Sequence, residues 1–369
     1  MIRKNAKYLH IIWHPDLKFI PKLIKMINEE DSYFNLEEHI FITPHKKVYD
    51  EMSKKYEIYL CGNEQENLIN KYGEYGQWIF VHAINCSKLK LILTKNKYAK
   101  KVIWRTWGHD IRPLEYYNYR GIKKILFHFI WKAYIEKVHR FHMIGVANDI
   151  DLVNVNNTFG EMDSCILRYG YDPIKDNLLD KLKNNIENRK EKSLRILIGH
   201  SASKWDDHIS VMKKLIQYRN YDITICLILS YAGEREYVDE VKKFAKENFG
   251  EKIEIIDCFM EYEKYINYLN SIDIAIFAQK HSTALSNISW LLHFGKTIYF
   301  REDSDFAKSF KRKRCEFCKV EEIENMTFEQ FRTKKNSKKL MSEYGNILTS
   351  KECCKIWKKV FDKLSEEEE

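Results

Sequence analysis

Trp104-Arg105-Thr106-Trp107-Gly108-His109-Asp110 sets two indoles, a guanidinium, an imidazole and a carboxylate into one short stretch. A carboxylate held near a hydroxyl can take its proton as a new bond forms, so Asp110 is the first candidate for a general base. His82 and His109 stand behind it. Trp104, Trp107 and Arg105 are candidates to hold an acceptor, with the indoles walling a sugar ring and keeping water away. The same stretch fits a second reading, a Trp-rich core strand that ends in a Gly turn with an Asp cap.

A second group of candidates gathers anion-binding chemistry. Gly199-His200-Ser201-Ala202-Ser203-Lys204 is a small, hydroxyl-rich turn between an apolar run and a helical pattern that starts near Asp206. Ala278-Gln279-Lys280-His281-Ser282-Thr283 repeats the arrangement before the helical pattern that runs to Phe294. Backbone N–H groups and hydroxyls at a helix start suit a phosphate. One such loop is ordinary N-capping; two on strand ends of one domain point to a diphosphate-bearing ligand. Ser201, Ser203, Lys204, Ser282 and Thr283 are therefore the diphosphate candidates, with Gly199 and Gln279 as further donor-binding candidates. Ser230, Tyr231 and Gly233, after the next apolar run, would lie near a nucleoside.

Other signals are absent or weak. No G-x-G-x-x-G follows the first strand and no G-x-x-x-x-G-K-[ST] occurs, which argues against a dinucleotide oxidoreductase and a P-loop NTPase. Asp303-Ser304-Asp305 spells a D-x-D, but its charged setting reads as a helix start. Cys315 and Cys318 have zinc-like spacing, yet Cys353-Cys354 is a poor second pair, because adjacent cysteines ligate one metal badly. No metal or other cofactor is expected.

The elements that must position these residues alternate regularly. Tyr8–Trp13, His39–Thr43, Glu57–Cys61, Trp78–His82, Val102–Trp104, His142–Ala147 and Cys165–Leu167 read as strands. A second series, Leu194–Gly199, Ile223–Ser230, Ile253–Ile256, Ile272–Phe277 and Thr297–Phe300, follows the polar stretch 172–192. Helical patterns separate them, which means βαβ units and parallel sheets. The expected fold is α/β, two Rossmann-like domains facing a cleft: residues 1–171, a linker at 172–192, and 193–350. The pattern at 351–364 is a helix that could pack back on the first domain.

Composition sets the outer limits. The chain has 369 residues, 44% of them hydrophobic and 14% aromatic, with 13 Gly and 5 Pro, which describes a well-packed globular protein. Nine scattered Cys and no secretory h-region suggest a reduced, cytoplasmic protein. The net charge is +9, but Cys86–Arg140 alone holds 14 Lys/Arg against 3 acidic residues, leaving about −2 for the remainder. Within that region Gly121–Arg140 reads as a helix with Lys/Arg on one side and Phe, Trp, Leu and Tyr on the other. That profile fits an anionic membrane surface. Nucleic acid is not expected as a partner, because no recognisable nucleic-acid module accompanies the charge.

Several segments resemble the 4-alpha-L-fucosyltransferase family, glycosyltransferase family 56. They are Phe80-Val81-His82, Trp104-x-x-Trp107-Gly108-x-Asp110, Ile196–Ser201, Leu229–Gly233 with Tyr237 and Val241, Asp273–Ala278, and Gly295–Glu302, in the right order over nearly the whole chain. The resemblance implies a GT-B architecture and a metal-independent transferase. Its donor would be a nucleoside-diphosphate sugar, in that family TDP-4-acetamido-4,6-dideoxygalactose. Its acceptor would be a polyprenyl-diphosphate-linked glycan at the inner face of the cell membrane, in bacterial surface polysaccharide assembly. Asp110 would then deprotonate the acceptor hydroxyl, or only position it if configuration is retained. Two other readings stay open: a non-catalytic scaffold of a polysaccharide complex, and a sugar-nucleotide 2-epimerase.

Overall fold

The computed structural model describes residues 2–3, 6–107, 110–111, 121–184 and 193–367. The chain divides into two compact units, Met1–Asn177 with Leu348–Glu369, and Leu178–Ile347.

The first unit holds seven parallel strands: β1 (Ala6–Ile12), β2 (His39–Thr43), β3 (Tyr59–Leu60), β4 (Gly76–His82), β5 (Val102–Arg105), β6 (Met143–Val146) and β7 (Ser164–Ile166), in the order β3-β2-β1-β4-β5-β6-β7. Runs such as Leu9–Trp13 are fully buried because both faces of the sheet are covered, as an all-parallel sheet requires. Helix α1 (Ile20–Glu29) starts on Pro21, which has no N–H to waste there, and buries Ile20, Leu23, Ile24, Met26 and Ile27. Helices α2 (Lys88–Ile92) and α3 (Ile122–Val138) pack side by side. Half of the stretch read as a linker is helical, α4 (Pro173–Asn184).

The pattern in α3 differs from the one-sided helix the sequence suggested. Trp131, Tyr134 and Val138 are buried, whereas Ile122, Ile125, Leu126 and Phe129 on the opposite side are exposed. Lys123 and Lys132 stand between these faces, and Lys124 lies on the Trp131 side of the helix. A helix with two apolar faces has almost no net amphipathic direction.

The second unit repeats the plan with β8 (Leu194–Ile198), β9 (Ile223–Ile228), β10 (Ile253–Ile256), β11 (Ile274–Phe277), β12 (Thr297–Phe300) and β13 (Cys318–Lys319), all parallel, in the order β10-β9-β8-β11-β12-β13. Strand β13 is two residues at an edge, too short to leave a hydropathy pattern. The helices that bear on the site are α5 (His208–Leu215), α6 (Arg235–Phe249), α7 (Leu285–His293) and α8 (Asp305–Arg312).

The last helix, α9 (Ser350–Glu366), belongs to the first unit. It opens with a capping box, Thr349 with Glu352, and buries Cys353, Cys354, Trp357, Phe361 and Leu364 against Ile12, Phe80 and Ile103. Trp357 Nε1 donates to the Arg168 carbonyl at 2.8 Å and the Tyr8 hydroxyl to the Phe361 carbonyl at 3.0 Å.

Candidate active site

In the second sheet, chain order reverses at β8, which lies between β9 and β11. Ligands of open α/β sheets bind outside the carboxyl ends of the strands at such a reversal. Three sequence-selected loops leave the sheet there. The first begins at Gly199, whose φ is +67°. A Cβ at Gly199 would stand 2.8 Å from the Asp206 Cβ and 2.9 Å from His208 Nε2, so only glycine allows the chain to fold over Asp206.

Asp206 is the centre of this loop, and the sequence reading used it only as a helix start. Its side chain is fully buried, and its carboxylate accepts from His200 Nδ1 at 2.9 Å, the Ser201 hydroxyl at 2.7 Å and the Ser201 amide at 3.0 Å. Burial by itself would raise the carboxyl's pKa. The His200 and Ser201 hydrogen bonds and the His200 charge outweigh it and hold the group below the usual carboxylate range. An ionised Asp206 makes His200 Nδ1 the protonated nitrogen and leaves Nε2 outside the pair.

The neighbouring loops are laced to this one. A Cβ at Gly233 would meet the Ala202 Cβ at 2.4 Å, and the Ala202 amide donates to the Tyr231 carbonyl at 2.8 Å. The Tyr231 ring stands edge-on to His200 at 6.3 Å and is half exposed. Ser230 is partly buried beside it. At the end of β11, Phe277 brings its ring 6.5 Å from that of His200. Two residues on, Gln279 is 2% exposed, and neither its amide nitrogen nor its oxygen has a partner among the described residues. A buried amide with both ends unmet costs free energy unless something else meets it.

Beyond Gln279, α7 is capped by Ala284 in the left-handed conformation, with no side-chain cap hydrogen bond. Ser282 is partly buried and Thr283 exposed at this helix start. Trp205 stands edge-on to His281 at 5.9 Å, and Arg301 reaches Asp207 at 4.0 Å, so the loops after β8, β11 and β12 meet. Ser203 caps the turn Lys204–Asp206 by accepting from the Trp205 amide, and Lys204 is exposed. The D-x-D is a helix start: Ser304 accepts from the Ala307 amide at 3.1 Å, and Asp303 pairs with Arg301 and Lys280. Cys315 and Cys318 are buried free thiols, and among the described residues no group of three or more His, Cys, Asp or Glu could hold a metal ion.

The N-terminal candidates are placed differently from the sequence expectation. Trp104 is fully buried among Tyr134, Phe141 and Phe159, so it offers no face to an acceptor. Asp110 is 5% exposed; its carboxylate accepts from Trp104 Nε1 at 3.2 Å and from the Trp107 amide at 2.7 Å. Both donors belong to the same short stretch of chain. Arg105 is buried, donates to the Leu167 carbonyl at 2.6 Å and lies 4.6 Å over the Tyr169 ring. His82 is fully buried and bonds the Tyr169 hydroxyl at 2.6 Å and His10 at 3.1 Å. His82 and Arg105 end β4 and β5, and both are buried with bonds inside the protein. Trp107 alone is partly exposed, stacked on His14 at 4.9 Å. His109 lies outside the described residues.

Comparison with known proteins agrees with this architecture. Residues 44–342 match the family described as 4-alpha-L-fucosyltransferase, glycosyl transferase group 56. Among solved structures, a glycosyltransferase from Rickettsia africae aligns with a TM-score of 0.66 at 11% identity, covering 97% of this chain and 98% of that one. HepE of Anabaena, solved in complex with UDP, aligns at 0.64 and 12% identity, over 98% and 100% of the two chains. Sucrose-phosphate synthase from Thermosynechococcus elongatus aligns at 0.62 and 8%, over 97% and 99%. Identities this low speak to the fold, and the fold is GT-B.

Proposed function

The chain belongs to the 4-alpha-L-fucosyltransferase family, glycosyl transferase group 56, and is a glycosyltransferase; on that premise we propose how it works. The donor is a nucleoside-diphosphate sugar held by the second unit, and the UDP complex of HepE supports that class. The resemblance favours a TDP-linked acetamido-dideoxyhexose. The acceptor is a polyprenyl-diphosphate-linked glycan handled by the first unit at the inner face of the cell membrane.

One observation carries the donor assignment. Buried Asp206 orients His200 at the end of β8, and the unmet amide of Gln279 lies just past the end of β11, the strand paired with β8. A departing diphosphate needs donors fixed in advance where its charge develops. Ser201, Ser203, Lys204, Ser282 and Thr283 supply hydroxyls and one cation for it, and the turn at Gly199 brings the backbone close. Gln279 bonds the phosphate or sugar oxygens. Ser230, Tyr231 and Gly233 sit by the nucleoside. The reaction is metal-independent because these groups do a cation's work. In the first unit Trp107 meets the acceptor, and Asp110 holds the loop that carries it.

Thermal-shift titration with UDP, TDP, GDP and CMP tests this reading. Stabilisation by one of the diphosphates, absent in His200→Ala, supports the site. No response to any nucleotide would leave an inert scaffold as the better description.

A further inference from the structure

We infer that the outward face of α3, with its neighbour α2, docks onto an anionic lipid bilayer. Ile122, Ile125, Leu126 and Phe129 follow the i, i+3, i+4, i+7 spacing of one helix face and are 76, 59, 58 and 66% exposed. The opposite face already packs on the protein through Trp131, Tyr134 and Val138. A helix apolar on both sides is stable where both sides are covered, and among the described residues protein covers only one of them. Helix α2 adds Leu89 and its C-cap residue Leu93, 58 and 73% exposed. Six of the thirteen exposed large apolar side chains among the described residues thus sit on two adjacent helices, where scattered single ones would need no explanation.

Charge names the occupant. Lys123 and Lys132 are exposed along the flanks of the stripe, and the surrounding region Cys86–Arg140 carries 14 basic against 3 acidic residues. A second copy of this chain would bring the same excess of lysines and repel. A bilayer offers acyl chains to the stripe and phosphates to the lysines at one depth. Among the described residues no helix is long and apolar enough to cross a membrane, so the contact is interfacial. This deepens the proposed function and rests on it only for the presence of a membrane-borne acceptor.

Co-sedimentation with vesicles tests it, using phosphatidylcholine alone and phosphatidylcholine mixed equally with phosphatidylglycerol. The wild-type protein should pellet with the anionic vesicles and detach as salt rises. Leu126→Gln with Phe129→Gln should stay in the supernatant while melting at the wild-type temperature and keeping any nucleotide-induced shift, since both side chains are exposed. Lys123→Gln with Lys132→Gln should weaken low-salt binding by roughly fivefold per lysine. Failure of the wild type to bind anionic vesicles, or equal binding by the Leu126/Phe129 variant, overturns the proposal. So does light scattering that finds a wild-type dimer converted to a monomer by that variant, because a second copy would then cover the stripe.

Discussion

Asp206 Oδ1 stands 2.9 Å from His200 Nδ1, and the carboxylate that makes this bond is shut away from water while the imidazole is not. The pair fixes one ring nitrogen inside and turns the other outward. Asp206→Asn removes the charge that makes Nδ1 the donor and puts an NH₂ among groups that need an acceptor. It should cost about 2–3 kcal/mol of unfolding free energy, the range for hydrogen bonds to a charged group. Denaturant titration reads this. His200→Ala, which leaves Asp206 with Ser201, should lose less stability and more nucleotide affinity. Equal losses in the two variants would make the pair purely structural.

Gln279 gives the opposite signature. Its amide makes no hydrogen bond among the described residues, so Gln279→Met, of similar length, should leave the ligand-free melting temperature unchanged or raise it. Nucleotide binding should weaken by about 1–1.5 kcal/mol, or roughly tenfold, if the amide meets the ligand. A variant that melts lower and binds nucleotide as before would show that the amide is satisfied within the protein.

For Asp110, stability is the expected casualty. Asp110→Ala strips the acceptor from both Trp104 Nε1 and the Trp107 amide and should cost about 1–3 kcal/mol, the range for leaving a buried donor unmet. Nucleotide binding in the other unit should be unaffected. If Asp110→Ala melts like the wild type and has lost sugar transfer, the carboxylate returns to the chemistry.

Acid should destabilise the first unit through a row of histidines. His39 Nδ1 bonds His10 Nε2 at 3.0 Å and His10 Nδ1 bonds His82 Nε2 at 3.1 Å. Burial, with Arg3 beside the first and Arg105 beside the second, holds His39 and His82 down at about 3; burial and its two neighbours hold His10 well below the ordinary value. Between the folded and unfolded pKa values only the unfolded chain binds the proton. The stability these groups contribute is therefore complete above their ordinary value of 6.5 and is lost as pH falls below it. Three such groups give a slope of about 4 kcal/mol per pH unit near pH 5. Melting temperatures measured from about pH 7.5 down to about pH 5 should fall steeply, and a flat profile would mean that the row is protonated or open to water.

The sequence was readable where the signal was local. Continuous apolar runs such as Leu9–Trp13 and Ile274–Phe277 announce parallel strands, because burial on both faces removes the alternation of a half-exposed sheet. The hydroxyl-rich turns at 199–204 and 278–283 announce helix starts for the same local reason. His200 and Asp206 are six residues apart, and Gly199 between strand and turn was the available hint that the chain folds back there. What could not be read was which side of an element meets water. Trp104 and His82 look like site residues in a string of letters, and they became core when neighbouring strands and α9, more than two hundred residues further along the chain, closed over the sheet. Helix α3 was ambiguous in the same way, since apolar residues on two faces give no preferred direction until Trp131, Tyr134 and Val138 find the protein interior. Element type follows from local periodicity, so the sequence by itself determined the sheets and turns. Burial depends on partners distant in the chain, so only the tertiary structure decided that Trp104 and His82 are core and that Asp206 is shut away from water.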